Sequence, residues 1–253
     1  MLRQFAASHQ QVPPAALTPA VQVKDLRFAY RPGLEVLRLA ELTVGRGERV
    51  FLHGPSGSGK TTLLGLLAGI LKPQGGEIEV LGCDLCRLSS SARDRFRGER
   101  LGYVFQMFNL IPYLNVVENI TLPCWLSARR RAKVTQSDQA VNLVEAAVVI
   151  AERVGIAPLL TRPVSELSVG QQQRVAVARA LLGAPELVIA DEPTSALDSE
   201  HREGFLRLLF DETARSGAAV LFVSHDMALA PLFERSLSLR QLNQAASGQG
   251  AHV

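Results

Sequence analysis

Apolar positions along the chain follow two rhythms. Val21, Val23, Leu26 and Phe28 are spaced as one buried face of a strand, and a second strand candidate covers residues 36–44. With residues 75–81 they predict an antiparallel β layer, its turns marked by Gly45, Gly47 and Gly75-Gly76. The other rhythm is continuous. Residues 49–53, 187–190 and 218–223 are short apolar runs, as expected of strands buried on both faces of a parallel sheet, and residues 100–105 add a further strand. Thr62 to Ala68 is apolar all round and predicts a buried helix over residues 61–71. Residues 107–165 have a different character: 116–128 and 138–154 are amphipathic and predict an inserted helical part. A helix over residues 170–182 stops at Gly183, with Pro185 beyond. The fold class read from this is α/β: an antiparallel β layer, a parallel-sheet core and a helical subdomain inserted into one domain over residues 20–242.

Composition narrows the field. The chain has 253 residues, 47% apolar and 20% charged, an ordinary composition for a packed domain. No apolar run approaches the ~20 residues that cross a bilayer. Residues 1–19 are rich in Gln, Ala and Pro without an apolar signal core, and read as a disordered lead-in; residues 243–253 read as a frayed polar end. The net charge of +3 is mild. Its densest cluster, Arg129-Arg130-Arg131-Ala132-Lys133, reads as a solvated surface, or else as a contact for lipid headgroups or an acidic partner. It has no interleaved aromatics, which argues against nucleic acid as a partner. Cys83 and Cys86 form a C-x-x-C with no second pair and no nearby histidine, so they read as turn residues, and Cys124 reads as core.

The chemistry begins at Gly54-Pro55-Ser56-Gly57-Ser58-Gly59-Lys60-Thr61. Glycines let the backbone curl so that successive N–H groups face a polyanion, which a Cβ would keep away. Lys60 supplies a point charge for β- and γ-phosphates, and the Thr61 hydroxyl suits Mg²⁺. The helix that follows adds the positive end of its dipole. A strand entering the loop and a helix leaving it are what a phosphate-binding P-loop requires. A second constellation closes the run at 187–190: Asp191-Glu192, two carboxylates at the C-terminal edge of a parallel strand, where open α/β sheets bind ligands. Side chains alternate along a strand, so Asp191 can serve Mg²⁺ while Glu192 polarises an attacking water.

With both constellations in view, the sequence resembles the ATP-binding subunits of ABC transporters from about Val21 to Leu242. Tyr30 matches the family's adenine-stacking aromatic, and Gly54 to Thr62 its Walker A motif. Gln106 matches the Q-loop glutamine that senses Mg²⁺ and the γ-phosphate. Leu167-Ser168-Val169-Gly170-Gln171 matches the signature. Asp191 and Glu192 match the Walker B aspartate and the catalytic base, Asp198 lies in the D-loop match Ser195 to Asp198, and His225 matches the switch histidine. Read without the family, Tyr30 is a strand aromatic, His225 a capping residue after a strand, and Ser168 an N-cap. One position departs: Val169 stands where the family has glycine, and a β-branched residue is strained there if φ is positive. The Phe105 to Pro112 and Val117 to Ile120 segments are similar to the lipoprotein-release, macrolide-export and cell-division group.

The resemblance implies ATP and Mg²⁺ as cofactors, hydrolysis by a homodimer that sandwiches ATP, and an integral membrane permease as partner. The chain is then placed on the cytoplasmic face of the cell membrane, with Met107 to Leu114 touching the permease. Two rivals remain: a regulatory module that signals without moving solute, and a soluble ATPase of DNA repair or translation. Against the latter, no tandem domain or coiled-coil insert is seen. The transported substrate is not legible.

Overall fold

The computed structural model describes residues 18–136, 142–195 and 199–247. The lead-in to residue 17, residues 137–141 at the start of the second amphipathic segment, residues 196–198 of the D-loop match with Asp198, and residues 248–253 lie outside them. In chain order the elements are β1 (Val21–Arg31), β2 (Leu34–Val44), β3 (Arg49–His53), α1 (Lys60–Leu67), β4 (Gly75–Val80), β5 (Cys83–Asp84), α2 (Ser90–Arg100) and β6 (Leu101–Val104). Then follow α3 (Val116–Leu126), α4 (Ala128–Thr135), α5 (Leu143–Arg153), α6 (Val169–Leu181), β7 (Leu187–Asp191), α7 (Ser199–Ser216), β8 (Ala219–Val223), β9 (Arg235–Ser238) and α8 (Leu239–Leu242).

Among the described residues the strands make two sheets. The antiparallel sheet runs β2-β1-β4-β5, and the parallel sheet runs β6-β7-β8-β3-β9. Strand alternation divides the interior. Val50 and Leu52 of β3, Leu187 and Ile189 of β7, and Leu221 and Val223 of β8 face the antiparallel sheet and α1. Phe51, Val188, Ala190, Val220 and Phe222 face the helical part. Each central strand therefore buries both faces, which is why its sequence is an unbroken apolar run.

The differences from the sequence reading have local causes. Helix α1 stops at Leu67, short of residue 71, because Gly69 turns left-handed (φ 68°) and the Gly65 carbonyl accepts from both Ile70 and Leu71. The segment at 116–128 splits at Ser127, which ends α3 and caps α4 by accepting from the Arg130 amide. Asn243, the first residue of the expected frayed end, is buried. Its side chain accepts from the Arg38 amide and donates to the Val36 and Ser58 carbonyls.

The basic cluster is solvated in part, as read, with Arg129 and Arg131 exposed, but Arg130 turns inward and is buried. Arg129 pairs with Glu186 at 3.1 Å, and Lys133 donates to the Ala184 carbonyl at 2.7 Å. Arg130 is 2% exposed and donates to the carbonyls of Ala180 and Leu182, at the end of α6, and of Leu101. Burial pushes its pKa down to about 10. Three carbonyls thus take the place of a carboxylate, and α4 is clasped to the sheet. Arg130→Met is expected to lower stability by about 3 kcal/mol or more, at about 1 kcal/mol or more per stranded carbonyl. Thermal unfolding checks this: a melting temperature within about 2 °C of native would show that the clasp carries no weight.

Candidate nucleotide site

The P-loop leaves β3 and folds over the first turn of α1. Gly57 and Gly59 are left-handed, at φ 78° and 96°, and a Cβ on Gly59 would stand 2.7 Å from the Leu37 side chain. Only glycine fits there. Lys60, 9% exposed, donates to the carbonyls of Gly54 at 2.9 Å and Pro55 at 3.2 Å. The Ser58 hydroxyl is buried without a protein partner. A cradle that a Cβ would fill, lined by backbone amides and a buried ammonium, fits a triphosphate.

Opposite the loop, β7 delivers Asp191 and β8 leads to His225. Desolvation, with Glu192 alongside, raises the Asp191 pKa, while the Thr61 hydroxyl bond and Lys60 oppose the rise. A buried carboxylate in that position is relieved by a divalent cation, and Thr61, Gln106 and Asp191 offer the hard oxygen donors that Mg²⁺ takes. Glu192 is left-handed (φ 46°), held by the hydrogen bond its amide donates to the Val223 carbonyl and by the one its own carbonyl accepts from the Ser195 amide. Such a backbone costs a non-glycine residue about 1–3 kcal/mol. It aims the Glu192 carboxylate into the cleft, 2.6 Å from His225 Nδ1 and 3.7 Å from Lys60 Nζ.

These groups line one open cleft of about 660 Å³. It brings together Ser56, Gly57, Gly59, Lys60, Thr61, Thr62, Gln106, Asp191, Glu192 and His225, with Val36 of β2 as a wall that the sequence did not reveal. No local pattern marks Val36, whose carbonyl comes within 3.6 Å of where a Cβ on Gly59 would stand. Gly54, Pro55 and Ser58 shape the loop from behind. Tyr30 is 63% exposed beside the cleft, its hydroxyl 3.1 Å from Thr62 Oγ1.

Ser168, Gly170 and Gln171 do not line this cleft. Ser168 is exposed and caps α6: its hydroxyl accepts from the Gln171 amide, and the Gln171 side chain accepts from the Ser168 amide. Val169 is the first residue of α6, with helical backbone and a side chain 50% exposed. The strain feared for it does not arise, since φ is not positive. Val169→Gly is accordingly expected to leave kcat for ATP within about twofold of native, with no release of backbone strain to gain from. A large loss of turnover would show that the isopropyl group itself takes part.

Comparison with known proteins agrees with this geometry. Residues 37–195 match the family model described as ABC transporter. The chain belongs to the ABC transporter family. An ABC relative, the lipoprotein-releasing system ATP-binding protein LolD of Anaeromyxobacter dehalogenans, is 41% identical over 225 residues, covering 88% of this chain and 91% of its own. The uncharacterized ABC transporter ATP-binding protein YbbA of Escherichia coli K12 is 39% identical over 222 residues, covering 87% and 93%. Among solved ABC cassettes, the dimeric post-hydrolysis state of MJ0796 bound to ADP and Pi superposes with a TM-score of 0.75 at 33% identity, covering 86% of this chain and 93% of that one. The α/β ABC cassette fold is thereby shared.

Proposed function

We propose that this chain hydrolyses ATP as one half of a two-chain sandwich and so drives a separate membrane permease of the lipoprotein-releasing kind. One observation carries the reading. A single chain gathers the P-loop, the cation donors and Glu192 in one cleft, yet leaves the capped and exposed N-terminus of α6 outside it. A second copy can bring Ser168, Gly170 and Gln171, with the positive helix end, to the γ-phosphate. The dimeric MJ0796 cassette supports this arrangement.

In the chemical step the oxygen of a water attacks the γ-phosphorus and the bond to the ADP oxygen breaks. Glu192 accepts the water proton, and ADP and inorganic phosphate leave. His225, bonded to Glu192, fixes the carboxylate's orientation. Lys60 holds the β- and γ-phosphates. Mg²⁺, held by Thr61, Gln106 and Asp191, would neutralise phosphate charge. Asp198 is assigned to the sandwich by its motif alone.

The permease reading rests on surface. Met107 and Tyr113 are 80% and 82% exposed, and Trp125 and Leu126 follow at the end of α3. Large apolar groups standing in water along one segment mark a protein contact. Among the described residues no helix is long and apolar enough to cross a membrane, so the proposed site of action, the cytoplasmic face of the membrane, is reached through that partner. The test is recovery of a membrane protein with the tagged chain from detergent-solubilised membranes, and its loss with Met107→Asp and Tyr113→Asp together. Recovery undiminished by that pair would remove this face from the reading, and no membrane partner at all would sink the permease role.

A further inference from the structure

Helix α6 is tied to both segments that carry Glu192 and Gln106. Gln173, 3% exposed, donates to the Pro193 carbonyl at 2.9 Å, directly after Glu192. Two turns on, Arg179 is 8% exposed and donates to the carbonyls of Phe108 at 2.5 Å and Asn109 at 2.6 Å. It forms no ion pair among the described residues. Phe108 and Asn109 are consecutive left-handed residues, at φ 58° and 48°. That conformation is disfavoured for a residue as bulky as phenylalanine, so the turn needs an external tie. The turn sits between the exposed Met107 and the segment leading to α3, and its first residue lies two positions after Gln106.

We propose that Arg179 is a positioning residue for Gln106. Its fork holds the Phe108-Asn109 turn in the left-handed form and thereby places Gln106 in the cleft. Through Arg179, Gln173 and Ser168, α6 then carries the Gln106 turn, the Glu192 turn and the surface offered to the second chain as one body, the first and last points about 16 Å apart. A push on Met107 reaches both ends of the reaction without bending the helix. This rests on the role given above to Gln106.

The test is a double-mutant cycle on the purified chain with Arg179→Met, Arg179→Lys and Gln106→Ala. It reads kcat and KM for ATP together with amide hydrogen exchange of residues 106–110. Arg179→Met is expected to lower kcat by about 10-fold to 100-fold while KM stays within about threefold, because the P-loop is untouched. Combined with Gln106→Ala it should lower kcat no further than the worse single variant, since both act at one point. Exchange should quicken at the turn and not in α1. Arg179→Lys, with one ammonium for two carbonyls, should fall between, and it carries the cycle if the methionine variant does not fold. Losses that multiply, or unchanged exchange at the turn, would overturn the proposal. A native chain without ATP turnover would instead overturn the ATPase reading; exchange is read without turnover and decides for Arg179 by itself.

Discussion

Glu192→Gln is expected to bind ATP, to hydrolyse it about 10²- to 10⁴-fold more slowly, and to accumulate as a dimer. The amide keeps the size of the carboxylate and its place 2.6 Å from His225 Nδ1, so the cleft is preserved. It cannot take the proton of the attacking water. ATP then stays whole between the P-loop of one chain and Ser168, Gly170 and Gln171 of the other. Those contacts exist only in the closed pair, so bound ATP shifts the population toward dimer. Size exclusion with light scattering, with and without ATP and with Mg²⁺ left out, reads the outcome. A monomer in saturating ATP that turns over at the native rate would remove Glu192 as the base and the sandwich with it.

Lys60→Ala is expected to weaken ATP binding by about 100-fold or more. The ammonium is almost fully buried and is the one cation among the residues lining the cleft, His225 aside. Charge-assisted bonds to phosphate are about twice as strong as neutral ones, and backbone amides alone do not replace them. The variant also frees the Gly54 and Pro55 carbonyls, so thermal unfolding must accompany the titration. A folded variant with near-native ATP affinity would refute the P-loop assignment.

How far each feature could be read from sequence follows from its range. The central strands β3, β7 and β8 were legible because burial on both faces writes an unbroken apolar run. Strand β9 was not: it sits at the sheet edge and reads Arg-Ser-Leu-Ser. Helix α2 was hidden for the same reason, since only Phe96 of it is buried and the rest is charged or small. Within the site, Lys60, Asp191 and Glu192 were visible because each sits at a strand end or loop with its own local pattern. The left-handed backbone of Glu192 and the link from Arg179 to Phe108 and Asn109 were not. Both are long-range hydrogen-bond arrangements, and the second spans some 70 residues. The burial of Arg130 within the otherwise solvated run at 129–133 was hidden for a similar reason, because nothing local says that the carbonyls at the end of α6 will receive it.

The tie made by Asn243 bears on when the cleft matures during synthesis. Ser58 of the P-loop and Val36 of the cleft wall wait for a side chain 185 and 207 residues further along. Chains emerge from the ribosome at about 5–20 residues per second, so the P-loop spends on the order of ten seconds or more without that brace. Over that interval β9 is also missing beside β3. A nascent chain therefore carries the whole phosphate-binding motif long before it owns a finished nucleotide cleft. On the proposed reading, tight capture of ATP waits until Asn243 has emerged and folded back onto the P-loop.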